Sequence, residues 1–233
     1  MNDGAYVREQ YRSTEKLETR ISIWQPHAEG QSPQDLALQA LGEVQPREVL
    51  EVGAGTGAFS IRCANELLCH VIAVDSSDAM VSASMKLGVE AVFGDVQDLK
   101  FPDSSFDAAV AAWMLYHVAD LDMALSELAR VIRPGGRLVA ITNGRDHLSD
   151  LWDMAGVVHP EPSFSRENGC WWLSKHFASV TQRDIASQAL FPQREAASSY
   201  LQSIGYADAA ERLPQFDEPF IAWGTPTVFI ADK

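Results

Sequence analysis

Basic residues are scarce in this chain: 18 Lys and Arg stand against 32 Asp and Glu, a formal charge of −14. Such a balance repels nucleic acid and anionic membrane surfaces, so neither is expected as a partner. No apolar run approaches the roughly 20 residues that a membrane-crossing helix needs. The stretch Met1-Asn2-Asp3-Gly4-Ala5 has neither the basic nor the apolar character of a leader, and the expectation is a cytoplasmic protein. Cysteine is sparse too. Cys63, Cys69 and Cys170 form no CxxC pair and are odd in number, which argues against a disulfide framework or a zinc site. Histidines 27, 70, 117, 147, 159 and 176 are scattered without HExxH-like spacing, so no metal is assigned. Repeats and low-complexity segments are missing, and 46% apolar with 21% charged residues excludes a disordered chain.

What is present is concentrated in Val49-Leu50-Glu51-Val52-Gly53-Ala54-Gly55-Thr56-Gly57, an apolar run that ends in an acid and breaks into alternating glycines. It reads as the first strand of a nucleotide-type βαβ unit. Glycines at this spacing turn the chain tightly off the strand and let its backbone approach a ligand that a side chain would block. Residues 59–68 carry apolar positions at helical spacing, so the loop opens into a helix N-terminus. Gly53, Gly55 and Ala58 fit the G-x-G-x-x-G/A pattern, and Asp75 follows at the spacing of a ribose-binding acid. The loop by itself leaves two readings open, a nicotinamide or flavin domain and an S-adenosylmethionine domain. Glu51 favours the second, because a carboxylate at the ligand's end of the strand suits a sulfonium and an ammonium and repels a pyrophosphate.

Beyond the loop the chain alternates strand-like and helix-like segments. Strands are expected at 71–75, 90–95, 106–113 and 137–142, with helices at about 77–87 and 121–132, the latter stopped by Pro134-Gly135-Gly136. This alternation implies a parallel sheet with right-handed crossovers. Upstream, Ser32 caps a helix that has Pro33 in its first turn. Downstream, the spacing predicts a helix through 170–177 capped by Ser163 or Ser165, an edge strand at 180–185 and a helical insertion at 193–212. A closing strand at 227–231 is expected to pair antiparallel with its predecessor. The organisation expected is a single domain over 1–233. It has a helical lid at 1–45, a cofactor-binding core at 46–143 and cap insertions at 144–163 and 192–223.

Four stretches in order, Glu51–Gly57, then 74–80, then Gly94-Asp95-Val96, then 130–138, resemble the class I S-adenosylmethionine-dependent methyltransferases, in particular the UbiE-like small-molecule group. The resemblance covers about residues 46–143. It implies an α/β fold: a Rossmann-like, seven-stranded, mostly parallel sheet with an antiparallel last strand and helices on both faces. It further implies that Glu51 and the loop residues Gly53, Ala54, Gly55 and Gly57 line the methionine part of S-adenosylmethionine. Asp75, with Ser76 beside it, would accept from the ribose hydroxyls, Met80 would pack on the adenine, and Asp95 with the Val96 amide would hold its polar edge. A carbonyl near Ala112 would receive the ammonium. Each residue also has a plainer reading, Asp75 as a helix cap and Met80 as core.

Methyl transfer from a sulfonium is an in-line displacement, so alignment and exclusion of water are the main tasks, and a base is needed only for a hydroxyl of high pKa. His117, just past the fourth strand, is the candidate general base or orienter, with a structural hydrogen bond as its alternative. Tyr6 and Tyr11 on the N-terminal segment, and Trp113, Tyr116 and Trp152, are the candidate acceptor-binding residues. His147, Trp171, Trp172, Tyr200 and Trp223 are expected to complete the pocket. Ala111-Ala112-Trp113-Met114 stands where an NPPY-like tetrapeptide would signal base- or glutamine-directed amino methylation. The function expected is methyl transfer to oxygen or nitrogen of a small molecule by a monomer or homodimer. A nicotinamide oxidoreductase and a non-catalytic S-adenosylmethionine binder are the alternatives.

Overall fold

The computed structural model describes residues 10–27, 31–158 and 161–233. Apolar strands punctuated by glycine assemble a seven-stranded sheet. Its members are β1 (Glu48–Val52), β2 (His70–Asp75), β3 (Glu90–Phe93), β4 (Phe106–Ala112), β5 (Ile132–Asn143), β6 (Ser179–Asp184) and, last in the chain, β9 (Pro226–Asp232). Their order is β3-β2-β1-β4-β5-β9-β6. Strands β1 to β5 are mutually parallel, and β9 runs antiparallel to both its neighbours, β5 and β6. The expected α/β architecture is therefore observed. The closing strand does pair antiparallel with its predecessor β6, and it also wedges between β6 and β5.

Helices cover both faces. They are α1 (Glu15–Ser22), α2 (Pro33–Glu43), α3 (Ala58–Leu67), α4 (Asp78–Lys86), α5 (Leu121–Val131), α6 (Ser149–Ala155), α7 (Gly169–Leu173), α8 (Arg194–Ser203) and α9 (Ala207–Arg212). Side chains fix where the crossover helices begin. Ser32 and Asp35 form a reciprocal capping box on α2, Ser77 accepts the Met80 amide at the start of α4, and Asp120 accepts the Met123 amide at the start of α5. Because strands sandwiched by helices are buried on both faces, successive residues feed opposite cores. Leu50, Val52, Leu138 and Ala140 pack with Leu128 and Phe229 on one side. Val49, Val139 and Ile141 pack with Leu41 and Val228 on the other.

Four expectations change on the structure. The helix before Pro134 already ends at Val131, and Pro134-Gly135-Gly136 bulges inside β5, between the pairs Phe106–Ile132 and Ala108–Arg137. A Cβ on Gly136 would lie 2.5 Å from the Asp107 carbonyl, which explains the glycine. The helix expected through 170–177 is only Gly169–Leu173, with Asn168 at its N-cap position. The 193–212 insertion is two helices, broken at Gly205 with φ +91°. The region after β6 also holds an unforeseen antiparallel pair, β7 (Ser187–Phe191) and β8 (Phe220–Gly224). Its inward residues Ala189, Phe191 and Ala222 join Ile23, Leu151, Trp152, Tyr200 and Leu201 in a third apolar cluster. The chain around Trp24 bridges to Ala189, and the Gln25 amide donates to the Gln188 carbonyl, so the N-terminal segment is stitched to this pair.

Candidate active site

Where β1 ends, Gly53, Gly55 and Gly57 take φ of +65°, +58° and +79°, a region that side chains rarely adopt. The Gly53 amide donates to the Val74 carbonyl at 2.7 Å, tying the loop to β2. A Cβ on Gly53 would lie 2.6 Å from Met114 Cβ, and one on Gly57 would lie 2.7 Å from Ser84 Oγ. These two glycines are thus demanded by the protein's own packing as well as by any ligand. At Gly55 the nearest atom is Leu17 Cδ2 at 3.3 Å, so α1 lies across the loop.

Two acids sit under the loop. Asp75 accepts the Gly55 and Ser77 amides at 2.9 Å each, and burial raises its pKa. Glu51 is 3% exposed and accepts the Ser60 hydroxyl. Its pKa is pushed up to about 7 by burial, which the Ser60 hydrogen bond opposes and the charge of Asp75 reinforces. Neither acid forms an ion pair with a described residue. Two neighbouring carboxyls without a cation suit a positively charged ligand, which would favour their ionised forms.

The other expected cofactor positions are placed as follows. Ser76 is exposed and its amide bonds Asp75. Asp95 is exposed at the end of β3, its oxygens bonded by the Gln97 backbone and side-chain amides at 2.9–3.1 Å, and Val96 is buried beside it. Ala54 and Ala112 are half-buried on the same edge of the sheet. Met80 is 0% exposed, and the Ser77 hydroxyl at the head of its helix donates to the Tyr11 carbonyl at 2.7 Å.

Past β4 the chain turns through Trp113, whose φ of +52° is unusual for so large a residue. The turn is held by the Trp113 amide on the Ile141 carbonyl at 2.7 Å and by its ring nitrogen on Asn143 at 3.1 Å. Met114 then folds over Gly53, and a short 3-10 turn, Leu115–His117, delivers His117. Its Nε2 lies 3.1 Å from the Tyr11 hydroxyl, with the Tyr116 ring edge-on at 4.5 Å. Arg20 donates to the same Tyr11 oxygen at 3.2 Å, to Gln10 at 2.7 Å and to the Ser203 carbonyl. Tyr11 thus accepts from Arg20 while standing within hydrogen-bond distance of Nε2, and the imidazole tautomer sets which of the two donates. Burial, with the Arg20 charge next, pushes the His117 pKa down to about 4. That is well below the value near 6.5 usual for an unperturbed imidazole.

Several aromatic expectations fall elsewhere. Trp152 is 5% exposed inside the third cluster, donates to the His147 carbonyl at 2.9 Å and packs on Tyr206, so it is core. His147 accepts the Thr225 amide. Trp171 is 60% exposed with Lys175 over its ring at 3.8 Å, Trp172 shares that lysine, and Trp223 is 50% exposed on the β7–β8 pair. Tyr200, 7% exposed, does reach the Arg20 neighbourhood. Tyr6 lies outside the described residues. Sequence reasoning missed Arg20, Gln10, Ser60, Ser84 and Met114. Tyr11 and Arg20 are separated by the break before α1, so no helical spacing links them.

A glycine loop over paired acids at the C-terminal edge of a parallel sheet, beside a strand-order switch, defines an α/β cofactor-binding enzyme. The sequence comparisons narrow it. The profile of the family described as "Methyltransferase domain" matches residues 50–140. A demethylmenaquinone methyltransferase of Renibacterium salmoninarum is 38% identical over 189 residues, 76% of this chain and 73% of that protein. The O-methyltransferase rstn1 of Aspergillus nomiae is 33% identical over 131 residues, and the match spans 55% of its length. Among solved structures, the YcgJ protein of Bacillus subtilis superimposes with a TM-score of 0.63 at 18% identity, over 86% of this chain and 97% of that one. The chain belongs to the class I S-adenosylmethionine-dependent methyltransferases, and S-adenosylmethionine is its cofactor. The nicotinamide alternative gives way to that membership.

Proposed function

We propose that this methyltransferase acts on an oxygen or nitrogen atom of a small-molecule acceptor in the cytoplasm, with Tyr11 and His117 at the acceptor side. The observation that carries the reading is the direct Tyr11–His117 hydrogen bond beside the glycine loop. The names of the two relatives, an O-methyltransferase and a demethylmenaquinone methyltransferase, support a small acceptor. Bound S-adenosylmethionine supplies an electrophilic methyl group on a cationic sulfur. Gly53, Ala54, Gly55 and Gly57 offer it backbone, Glu51 and Asp75 offset its charge, and Asp75 with Ser76 takes the ribose. Asp95, Val96 and Met80 serve the adenine, and the Ala112 carbonyl takes the ammonium.

His117, being neutral at physiological pH, accepts a hydrogen bond from the acceptor in place of Tyr11 and aims a lone pair at the methyl group. A nitrogen that ionises near 4 is a weak base, so orientation outweighs proton removal. Trp113 and Tyr116 wall the same side, and closure of α1 over Gly55 excludes water. The test is a panel of phenols, hydroxyquinones, amines and carboxylic acids incubated with methyl-labelled cofactor and read by mass spectrometry. Label on a phenolic or amine atom is the expected result. Cofactor binding without transfer to any acceptor, alongside an active relative as control, would leave a non-catalytic binder.

A further inference from the structure

Three arginines packed against the large sheet meet carboxylates, whereas Arg194 donates to the carbonyls that end α9 and leaves no buried nitrogen unsatisfied among the described residues. Arg62 pairs with Asp35 and Glu66, Arg130 with Glu127 and Asp103, and Arg137 with Glu43 and Asp232. Arg20 does not. Its partners are a tyrosine hydroxyl, a glutamine oxygen and a backbone carbonyl, all neutral, and its Nε–H is buried with no hydrogen-bond partner. The chain has 32 carboxylate side chains and places none of them in an ion pair with this guanidinium among the described residues. A buried charged donor left unpaired is unfavourable, and a site that keeps one is prepared for an anion from outside.

The surroundings match an anion rather than a metal or a cation. Around Arg20 stand the Tyr11 hydroxyl, its ring 5.2 Å from the guanidinium carbon, and Tyr116 and Tyr200, whose titration feels the Arg20 charge. Burial raises both tyrosines, so their hydroxyls stay protonated donors. His117 feels the same charge. A guanidinium held against a phenol hydroxyl beside an imidazole recognises carboxylate or phosphate oxygens.

We infer that the methyl acceptor carries an anionic group, carboxylate or phosphate, and that Arg20 is its counter-ion in the site. The inference rests on reading the Tyr11–His117 face as the acceptor side. Because the overall charge of −14 repels an anionic acceptor at long range, capture depends on this local pairing.

The test uses the intact chain, with and without S-adenosylhomocysteine, and four probes: benzoate and phenyl phosphate against their neutral counterparts benzamide and phenol. Calorimetry gives affinities, and the Arg20 Nε–H resonance reports contact at the buried donor. An anionic probe is expected to bind about tenfold or more tightly than its neutral counterpart and to move that resonance. The preference should vanish in Arg20→Gln and survive in reduced form in Arg20→Lys. The relative strength of benzoate and phenyl phosphate tells carboxylate from phosphate. Equal affinities, a resonance unmoved by every probe at tens of millimolar, or a preference that persists in a folded Arg20→Gln overturns the inference. S-adenosylhomocysteine affinity is read separately. A chain that binds it and ignores probe charge loses the anion site but remains a methyltransferase. One that prefers anions without binding it keeps the anion site and loses the cofactor reading.

Discussion

The two sides of the site are built by different means. On the cofactor side nearly everything is local: Gly53 to Gly57, Asp75 to Ser77 and Met80 come from two consecutive strand–helix turns, and the key contact, Gly55 to Asp75, spans 20 residues. On the side proposed for the acceptor the contacts are long-range, 106 residues between Tyr11 and His117 and 183 between Arg20 and Ser203. Backbone shape governs the first side and side-chain encounter governs the second. Substitutions should therefore break them in different ways.

The largest effect is expected at Gly57. With φ +79° and Ser84 Oγ 2.7 Å from an added Cβ, Gly57→Val strains the loop and pries α3 from α4. A stability loss of about 2–4 kcal/mol, seen by chemical denaturation, should accompany loss of measurable cofactor binding. Near wild-type binding would remove the loop from the site. His117→Ala should do the reverse, leaving cofactor affinity within about twofold while kcat falls about 10²-fold, the low end for general-base assistance because the base is weak. The wild-type rate should stay level as pH passes below 6.5 and drop only toward 4, where the ring gains its proton. A limb near 6.5 that disappears in the alanine variant would contradict the buried, neutral histidine.

A smaller effect is expected from Asp75→Ala, which strands the Gly55 and Ser77 amides and the ribose that Asp75 is proposed to hold. Cofactor affinity should weaken by about 1.5–3 kcal/mol with the fold intact, and unchanged affinity by calorimetry would refute the assignment. The subtlest is proton release at Glu51. Below about 7 its carboxyl is protonated in the free protein, and a cationic ligand favours the ionised form. Binding of S-adenosylmethionine should therefore expel protons below that value and tighten as pH rises through it, then level off. Calorimetry in buffers of different ionisation enthalpy measures this, and Glu51→Gln should abolish it. Equal proton release in that variant would move the linked group elsewhere.

The same contrast explains what could be read from the chain alone. Strands β1, β2, β4 and β5 were legible because burial on both faces writes them as continuous apolar runs, and glycine or serine marks the turns after β1, β2 and β5. The grouping of Glu51, Gly53, Gly55 and Asp75 was legible because the ends of two consecutive strands carry them. The β7–β8 pair was hidden, since two helices separate its strands and no short turn announces it. The ionisation of His117 was hidden for a related reason: it depends on burial and on Arg20, neither visible in the spacing around residue 117. Trp152 misled because an indole looks the same in sequence whether it lines a pocket or fills a core.

The position of β9 sets an order in time. This strand follows β6 in the chain, yet it lies between β6 and β5, with its register running from Pro226 against Asn143 to Asp232 against Arg137. Until β9 arrives, β6 has no hydrogen-bonded neighbour in the large sheet and the edge of β5 is open. A chain emerging from the ribosome at about 5–20 residues per second completes β1 to β5 well before that edge can close. During that interval β5 is an exposed strand edge, the element most prone to pairing with another copy. Folding of the sheet thus finishes from the outside inward, and its last step is the insertion of an antiparallel strand into a gap that the parallel core has held open.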